Sequence, residues 1–344
     1  MTILAARLTA QLLGGEAARD PIAVTERLLA VQAQDPRGAR LAIRARTHGN
    51  GVTAADVDRA LTDGGLLISW LNRGTLHLVR REDWPWLHAL TTPPLRTASL
   101  RRLAQEGVPP NDADKGVAAI ERALAEEGPL TREQLRERVD AVGVRTARQA
   151  LVHVLLAATL RGLIVRGPMV GSRHAYVLVR DWLGEEAERP VDRDAALAEL
   201  ARRYLAGHGP ASDRDLARWA GLPLRDARAG LSAVASQLAK RADGLVELAG
   251  AASPAPLPPP RLLGTFEPLL LGWSSREDVL GANTRVVTVN GIFHPIALVR
   301  GRAVGIWRLT SGGSLTLDAF ARVAGSDRAA LRRDAADVVR FLGR

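Results

Sequence analysis

One block of helix, capped turn, two further helices and paired strands occurs twice in this chain, and that repeat limits the possible folds more than any other feature. In the first copy the apolar spacing predicts a helix over Ala118 to Glu126, a capped turn at Gly128-Pro129-Leu130-Thr131, and helices over Arg132 to Val139 and Arg145 to Ala158. Two strands around a glycine-rich turn follow within Gly162 to Val179. About 81 residues further on, counted from Gly128 to Gly209, the order returns as Ala196 to Leu205, Gly209-Pro210-Ala211-Ser212, Asp213 to Ala220, Leu224 to Leu238 and a strand at Leu245 to Leu248. Three helices followed by a hairpin is the winged-helix order, whose third helix commonly enters a DNA groove. Such modules also bind proteins, so the pattern alone leaves both kinds of partner open.

The segment before the repeat reads as a third, more divergent copy. A helix over Ile3 to Leu13 is stopped by Gly14-Gly15, and Asp20-Pro21 starts a second helix carrying Val24, Leu28 and Val31 on one face through Ala33. Helices over Arg37 to Thr47 and Thr53 to Leu61 follow, then a hairpin over Leu66 to Val79 interrupted at Asn72-Arg73-Gly74. Pro109-Pro110 reads as a link, and Ala251 to Pro260 as a proline-rich linker. Beyond it Leu262 to Leu309 is β-rich, with Asn290-Gly291 and Arg300-Gly301 as hairpin turns, and helices are expected at Leu317 to Phe320 and Arg328 to Leu342. The expected fold is therefore α+β and mainly helical. Its domains are 1–112, 113–188 and 189–250 (winged helices), linker 251–260, and a C-terminal β-rich, barrel-like domain at 261–344 with a covering helix.

Composition narrows the partners. A net charge of +10 on 344 residues suits a nucleic-acid binder, although arginine supplies nearly all of it, with Lys115 and Lys240 the only lysines. There is no cysteine, hence no disulfide framework or thiolate chemistry, and the seven histidines show no paired metal-ligand spacing. No Walker loop, no Gly-x-Gly-x-x-Gly after a strand and no nucleophile elbow can be written. No cofactor and no metal are expected. Neither a signal-peptide pattern nor an apolar run of membrane-spanning length is present, so the expectation is a cytoplasmic monomer with no membrane partner.

One stretch stands out as chemistry. Val31-Gln32-Ala33-Gln34-Asp35 places two amides where an apolar helix should end. Asp35 reads as an N-cap with Pro36 at the first helical position, and a residue before proline avoids helical dihedrals. Two residues two positions apart on a helix point about 200° from each other, so Gln32 and Gln34 can act together only where the helix lets go. The plainer reading, two exposed amides at a helix end, stays open, as does Asp35 acting as a base. Period-two alternation puts Arg73, Thr75 and His77 on one face of an extended segment, able to meet phosphate or to satisfy their own hairpin. Arginines at the hairpin tips, Arg166 and Arg173 in one wing and Arg300 and Arg302 in another, are candidates for DNA contact or ordinary solvated loops. The seven tryptophans read as core and junction residues.

Val31-Gln32-Ala33-Gln34-Asp35-Pro36, then Arg73-Gly74-Thr75-Leu76-His77, then Phe266-Glu267-Pro268-Leu269-Leu270-Leu271-Gly272 and Asn290-Gly291-Ile292-Phe293, resemble in order the AlkZ/YcaQ-like family of winged-helix DNA glycosylases. The resemblance implies tandem winged helices and a β-domain in a C-shape around a concave DNA-binding surface. It also implies excision of alkylated purines and, in one branch, unhooking of interstrand cross-links made by antibiotics, which would suit a self-resistance enzyme. The family signature, Gln-apolar-Gln in that branch, falls on Gln32 and Gln34. Asp35, His77 and Glu267 become possible catalytic or site-lining residues, and Arg37, Arg73, Thr75, Arg166, Arg173, Arg300 and Arg302 DNA contacts.

Amides suffice for this chemistry only if the substrate is already activated. Alkylation at purine N7 or N3 makes the base cationic, so it leaves as a neutral molecule, and a positioned water is enough. A lyase step needs an amine for a Schiff base, and the lysine count leaves few. The lysine count thus predicts a monofunctional enzyme, and the resemblance implies that it acts on double-stranded DNA with an alkylated purine. A non-catalytic winged-helix regulator is the alternative.

Overall fold

The computed structural model describes residues 2–343 apart from 50, 185, 186, 188 and 189, so the expected boundary between 188 and 189 lies outside the described residues. The fold is α+β and mainly helical, in two compact units, Asp58–Ala196 and Met1–Val57 with Leu197–Arg344.

Within Asp58–Ala196 the second winged helix has the expected order. Helix Pro110–Glu127 leads to strand Leu130–Thr131, helices Arg132–Ala141 and Ala150–Leu160, and the wing strands Ile164–Val170 and Arg173–Leu178. Pro109 ends the short connection from helix Arg96–Gln105, and Pro110 opens the long helix at the position where a missing N–H costs nothing. Thr131 caps the next helix reciprocally with Gln134 as a capping box, at the place where the capped turn was expected. The preceding hairpin, Leu66–Trp70 with Leu76–Arg80, joins this wing through the pair Ile68 and Arg166, so strands of two winged-helix copies share one sheet.

The third helix of this copy is not a groove reader. Ala150–Leu160 carries no Asp, Glu, Lys or Arg, is buried on most of its surface, and packs against helices Arg96–Gln105 and Pro110–Glu127 and the strand Leu66–Trp70. A helix that is apolar all round belongs in a core.

In the other unit, Ile3–Ala10, Pro21–Leu28 and Pro36–Arg46 precede the third copy, made of helix Arg193–His208 from Leu197 onward, Asp213–Ala220, Leu224–Ala233 and the short wing Leu238–Lys240 with Val246–Leu248. The first helix ends before its glycines, since Leu12 adopts the left-handed conformation and Gly14 returns a hydrogen bond to Leu8. Ser212 caps Asp213–Ala220 reciprocally with Asp215, repeating the device at Thr131. The C-terminal block is an antiparallel sheet in the order Leu315–Ala319, Arg302–Leu309, Ile296–Val299, Arg261–Leu263, covered by helix Gly325–Phe341. Residues 317–319 are therefore strand, not helix, because Leu317 pairs with Trp307. Trp70, Trp84, Trp219, Trp273 and Trp307 are buried, and the indoles of Trp273 and Trp307 donate to backbone carbonyls at 2.9 and 2.8 Å.

Candidate active site

Val31-Gln32-Ala33-Gln34 is not the tail of a helix. The preceding helix stops at Leu28, Leu29 turns the chain with φ of 64°, and Val31–Gln32 runs as strand. The break thus comes earlier than Asp35-Pro36, at a left-handed leucine that sequence alone does not advertise. Its consequence favours a shared site: along extended backbone, residues two apart point the same way. Gln32 donates its side-chain amide to the carbonyl oxygen of Gln34 at 2.7 Å. Gln32 and Ala33 are buried, whereas Gln34 is exposed. A carboxamide oxygen has two lone pairs, so that of Gln34 keeps one acceptor position.

Asp35 is the N-cap of Pro36–Arg46, accepting from the backbone N–H of Arg37 at 3.0 Å. Its other carboxylate oxygen accepts from the hydroxyl of Thr265. Each oxygen thus takes one structural donor, which accounts for Asp35 as the cap of this helix. Asp35, Arg37, Leu41, Thr265, Pro295, Trp307 and Arg308 are among the residues lining a small cavity of about 140 Å³ beside the cap.

Thr265 reaches Asp35 because two glycines let the backbones meet. A Cβ on Gly38 would lie 2.6 Å from the carbonyl oxygen of Thr265, and one on Gly264 would lie 2.9 Å from the carbonyl oxygen of Gly38. Such close approach is the use for which glycine is tolerated near the start of a helix. Gly38 within the first turn was the available signal for this junction; Thr265 itself gave none.

The far end of the same helix is anchored by two buried arginines. Arg46 donates to Glu267 at 2.6 Å, to the side chain of Gln11 at 2.7 Å and to the carbonyls of Gln11 and Ala42. Arg46 and Glu267 are both fully buried. Glu267 also caps the short helix Pro268–Leu271, so it ties the β-rich block to the helix behind the glutamines and presents no surface to a nucleotide. Arg44 donates to Asp334, Asp337 and the carbonyl of Leu262. His48, Asp334 and Asp337 offer ligand atoms within 4.8 Å of one another, but Arg44 already holds both carboxylates, and a cation there would meet that guanidinium.

In the other unit the alternation expected for Arg73, Thr75 and His77 does not form. Asn72–Gly74 is a tight turn with Arg73 at φ of 58°, and the strand begins at Leu76. Thr75 donates to the carbonyl of Asn72 and accepts, through its own carbonyl, from Leu71 and from Nδ1 of His77 at 3.0 Å. His77 is 2% exposed. Burial first, then the charge of Arg73, push its imidazole down to about 3 against the hydrogen bond to Thr75, so it is neutral at physiological pH.

The wing arginines are mostly engaged. Arg166 lies between the rings of Trp70 and Tyr176, at 5.1 and 5.0 Å from their centroids, where cation–π attraction holds it. Arg173 stays at the hairpin tip but pairs with Glu133 at 2.8 Å. Arg300 and Arg302 are exposed, although the turn between them packs on Leu4 and Leu8, since a Cβ on Gly301 would lie 2.8 Å from Leu8. Arg37 is exposed beside the cap.

Comparison with known proteins returns the same family along nearly the whole chain. The sequence family described as DNA glycosylase AlkZ-like matches residues 25–341. An interstrand DNA cross-link repair glycosylase of Streptomyces sahachiroi is 28% identical over 340 residues, spanning 93% of this chain and 90% of that protein. The solved structure of the Streptomyces sahachiroi DNA glycosylase AlkZ superposes with a TM-score of 0.78 at 25% identity, covering 99% of this chain and 96% of the other.

Proposed function

Because the chain belongs to the AlkZ-like DNA glycosylase family, we propose that it hydrolyses the N-glycosidic bond of cationic N7- or N3-alkylated purines in double-stranded DNA, with Gln32 and Gln34 holding the attacking water. The observation that carries this reading is the hydrogen-bonded pair itself, one amide buried and fixed, the other exposed. Gln32 orients the carboxamide of Gln34, whose remaining lone pair can accept from a water. The water oxygen bonds to C1′ as the C1′–N bond breaks. The bond pair leaves with the base and neutralises its positive charge, and the surplus proton of the water passes to solvent. An amide has no useful basicity, so the contribution is position and electrostatics, and uncharged lesions should react poorly.

Lys115 and Lys240 are the only lysines, and neither belongs to the signature, which supports a monofunctional enzyme leaving an intact abasic site. Bulky adducts and cross-links fall within the proposed substrate class, since one relative is named for interstrand cross-link repair. The enzyme is proposed to act as a cytoplasmic monomer without metal or cofactor; no described helix is long and apolar enough to cross a membrane. A regulator reading direct sequence is disfavoured by the buried third helix of the second copy.

Duplex DNA carrying 7-methylguanine, incubated with the protein and then treated with alkali, should break at the lesion. Without alkali the strand should stay intact. No breakage on any cationic adduct, or breakage that persists undiminished in Gln32→Ala/Gln34→Ala, would overturn the proposal or its site.

A further inference from the structure

We propose that Arg136, Arg145 and Arg148 form a clamp for the DNA phosphate backbone on the helix-turn-helix of the second winged helix, a contact surface separate from the glutamine signature. The three guanidinium-bearing residues line one open concavity of about 540 Å³, together with Asp140, Thr146 and the backbone of 143–148. All three are exposed.

Their neighbours behave differently. Arg138 is held bidentately by Glu127 at 2.7 Å, Arg161 pairs with Asp114, Arg173 with Glu133 and Arg180 with Glu121. Among the described residues Arg136, Arg145 and Arg148 form no ion pair; the one carboxylate in the concavity, Asp140, accepts from the hydroxyl of Thr146 at 2.6 Å, which leaves three guanidinium groups against a single carboxylate. Unpaired arginines gathered on a concave surface create a positive potential that an anion relieves.

The loop is also shaped for the purpose. Gly143 and Arg148, at φ of 76° and 55°, bracket it in left-handed conformations, the second at a steric cost that a non-glycine residue rarely bears without a role. The stem of Arg145 lies against Gly107, where an added Cβ would come 3.3 Å from its Cδ. Because the following helix is buried, this module can offer DNA no groove-reading element there, and what it presents is a set of phosphate donors. A repeated backbone anion on a duplex suits three spaced guanidinium groups better than a single small anion does.

The inference rests on the proposed action on duplex DNA but is tested apart from catalysis. Binding of the full chain to an unmodified duplex is measured by fluorescence anisotropy across a salt series, for the parent, R136Q/R145Q/R148Q, the three single variants and R138Q. Each lost phosphate contact should make the slope of log K against log salt shallower by about 1, and the triple variant by about 2 to 3. Arg138→Gln removes the same formal charge and should leave the slope as it is. A triple variant that melts with the parent and keeps the parental slope overturns the proposal, as does a loss equal to that of R138Q per charge removed. If the triple variant loses affinity for duplex RNA alone, the assignment to DNA is overturned. A protein that shows the salt effect yet releases no base supports the clamp and counts only against the glycosylase chemistry.

Discussion

The side-chain amide of Gln32 donates to the carboxamide oxygen of Gln34 at 2.7 Å, across a buried alanine, from a short strand at Val31–Gln32 and not from a helix. The two side chains therefore form one hydrogen-bonded pair, with Gln34 as its exposed member and Gln32 as its buried one.

That division predicts unequal losses. Gln34→Ala should lower the single-turnover rate of base release by about 100- to 1000-fold, the range found when one preorganised polar group is removed. Gln32→Ala should lower it less, by roughly tenfold to a hundredfold, while costing about 1 kcal/mol of stability because its side chain is buried and its hydrogen bond part-buried. Single-turnover excision of 7-methylguanine with thermal melts on the same samples would separate the two effects.

Asp35 divides the cap reading from the base reading. Asparagine caps a helix as well as aspartate but cannot accept a proton, so Asp35→Asn should retain excision within a few-fold, and Asp35→Ala should destabilise by about 1 kcal/mol and slow it. A loss of several orders of magnitude in D35N, with its melting temperature unchanged, would make Asp35 the base.

Gly38 is expected to tolerate no side chain, since its Cβ would press on Thr265. Gly38→Ala should destabilise by about 1–3 kcal/mol, the usual scale of overpacking, and should slow excision more than an equally destabilising change elsewhere, because the cap beside Gln34 must shift. Comparison of kcat and melting temperature for G38A and T265V tests this.

The buried pair of Arg46 and Glu267 should matter for folding and not for chemistry. Glu267→Ala leaves a buried guanidinium without its carboxylate and should cost about 3–5 kcal/mol, whereas excision per folded molecule at low temperature should stay near the parental value. A large drop in rate with little loss of stability would return Glu267 to the active site.

The buried histidines set the acid side of stability. His77 is held down to about 3 and His88, by burial against a hydrogen bond to Thr159, to about 4, while both take a proton near 6.5 in the unfolded chain. The unfolded state then binds more protons between those limits, so stability should fall as pH drops from about 6.5 towards 3. The imidazole resonances of His77 should show no titration between pH 8 and 5, and the excision rate no step assignable to it.

The chain's local chemistry determined the helix order of the repeat, the capping boxes at Thr131 and Ser212, the cap at Asp35 and the glutamine pair, because caps, proline at a first helical position and apolar periodicity act over a few residues. Tertiary structure decided the rest. The left-handed turn at Leu29 is enforced by a fully buried leucine, and it, not Pro36, gives Gln32 and Gln34 a common face. Whether an arginine is a DNA contact or a structural tie depends on which residues from distant segments reach it: Trp70 and Tyr176 enclose Arg166, Glu267 takes Arg46, and Arg136, Arg145 and Arg148 are left facing solvent. Those partners lie from ten to more than two hundred positions away in sequence, and only the folded chain brings them, or fails to bring them, to the charge.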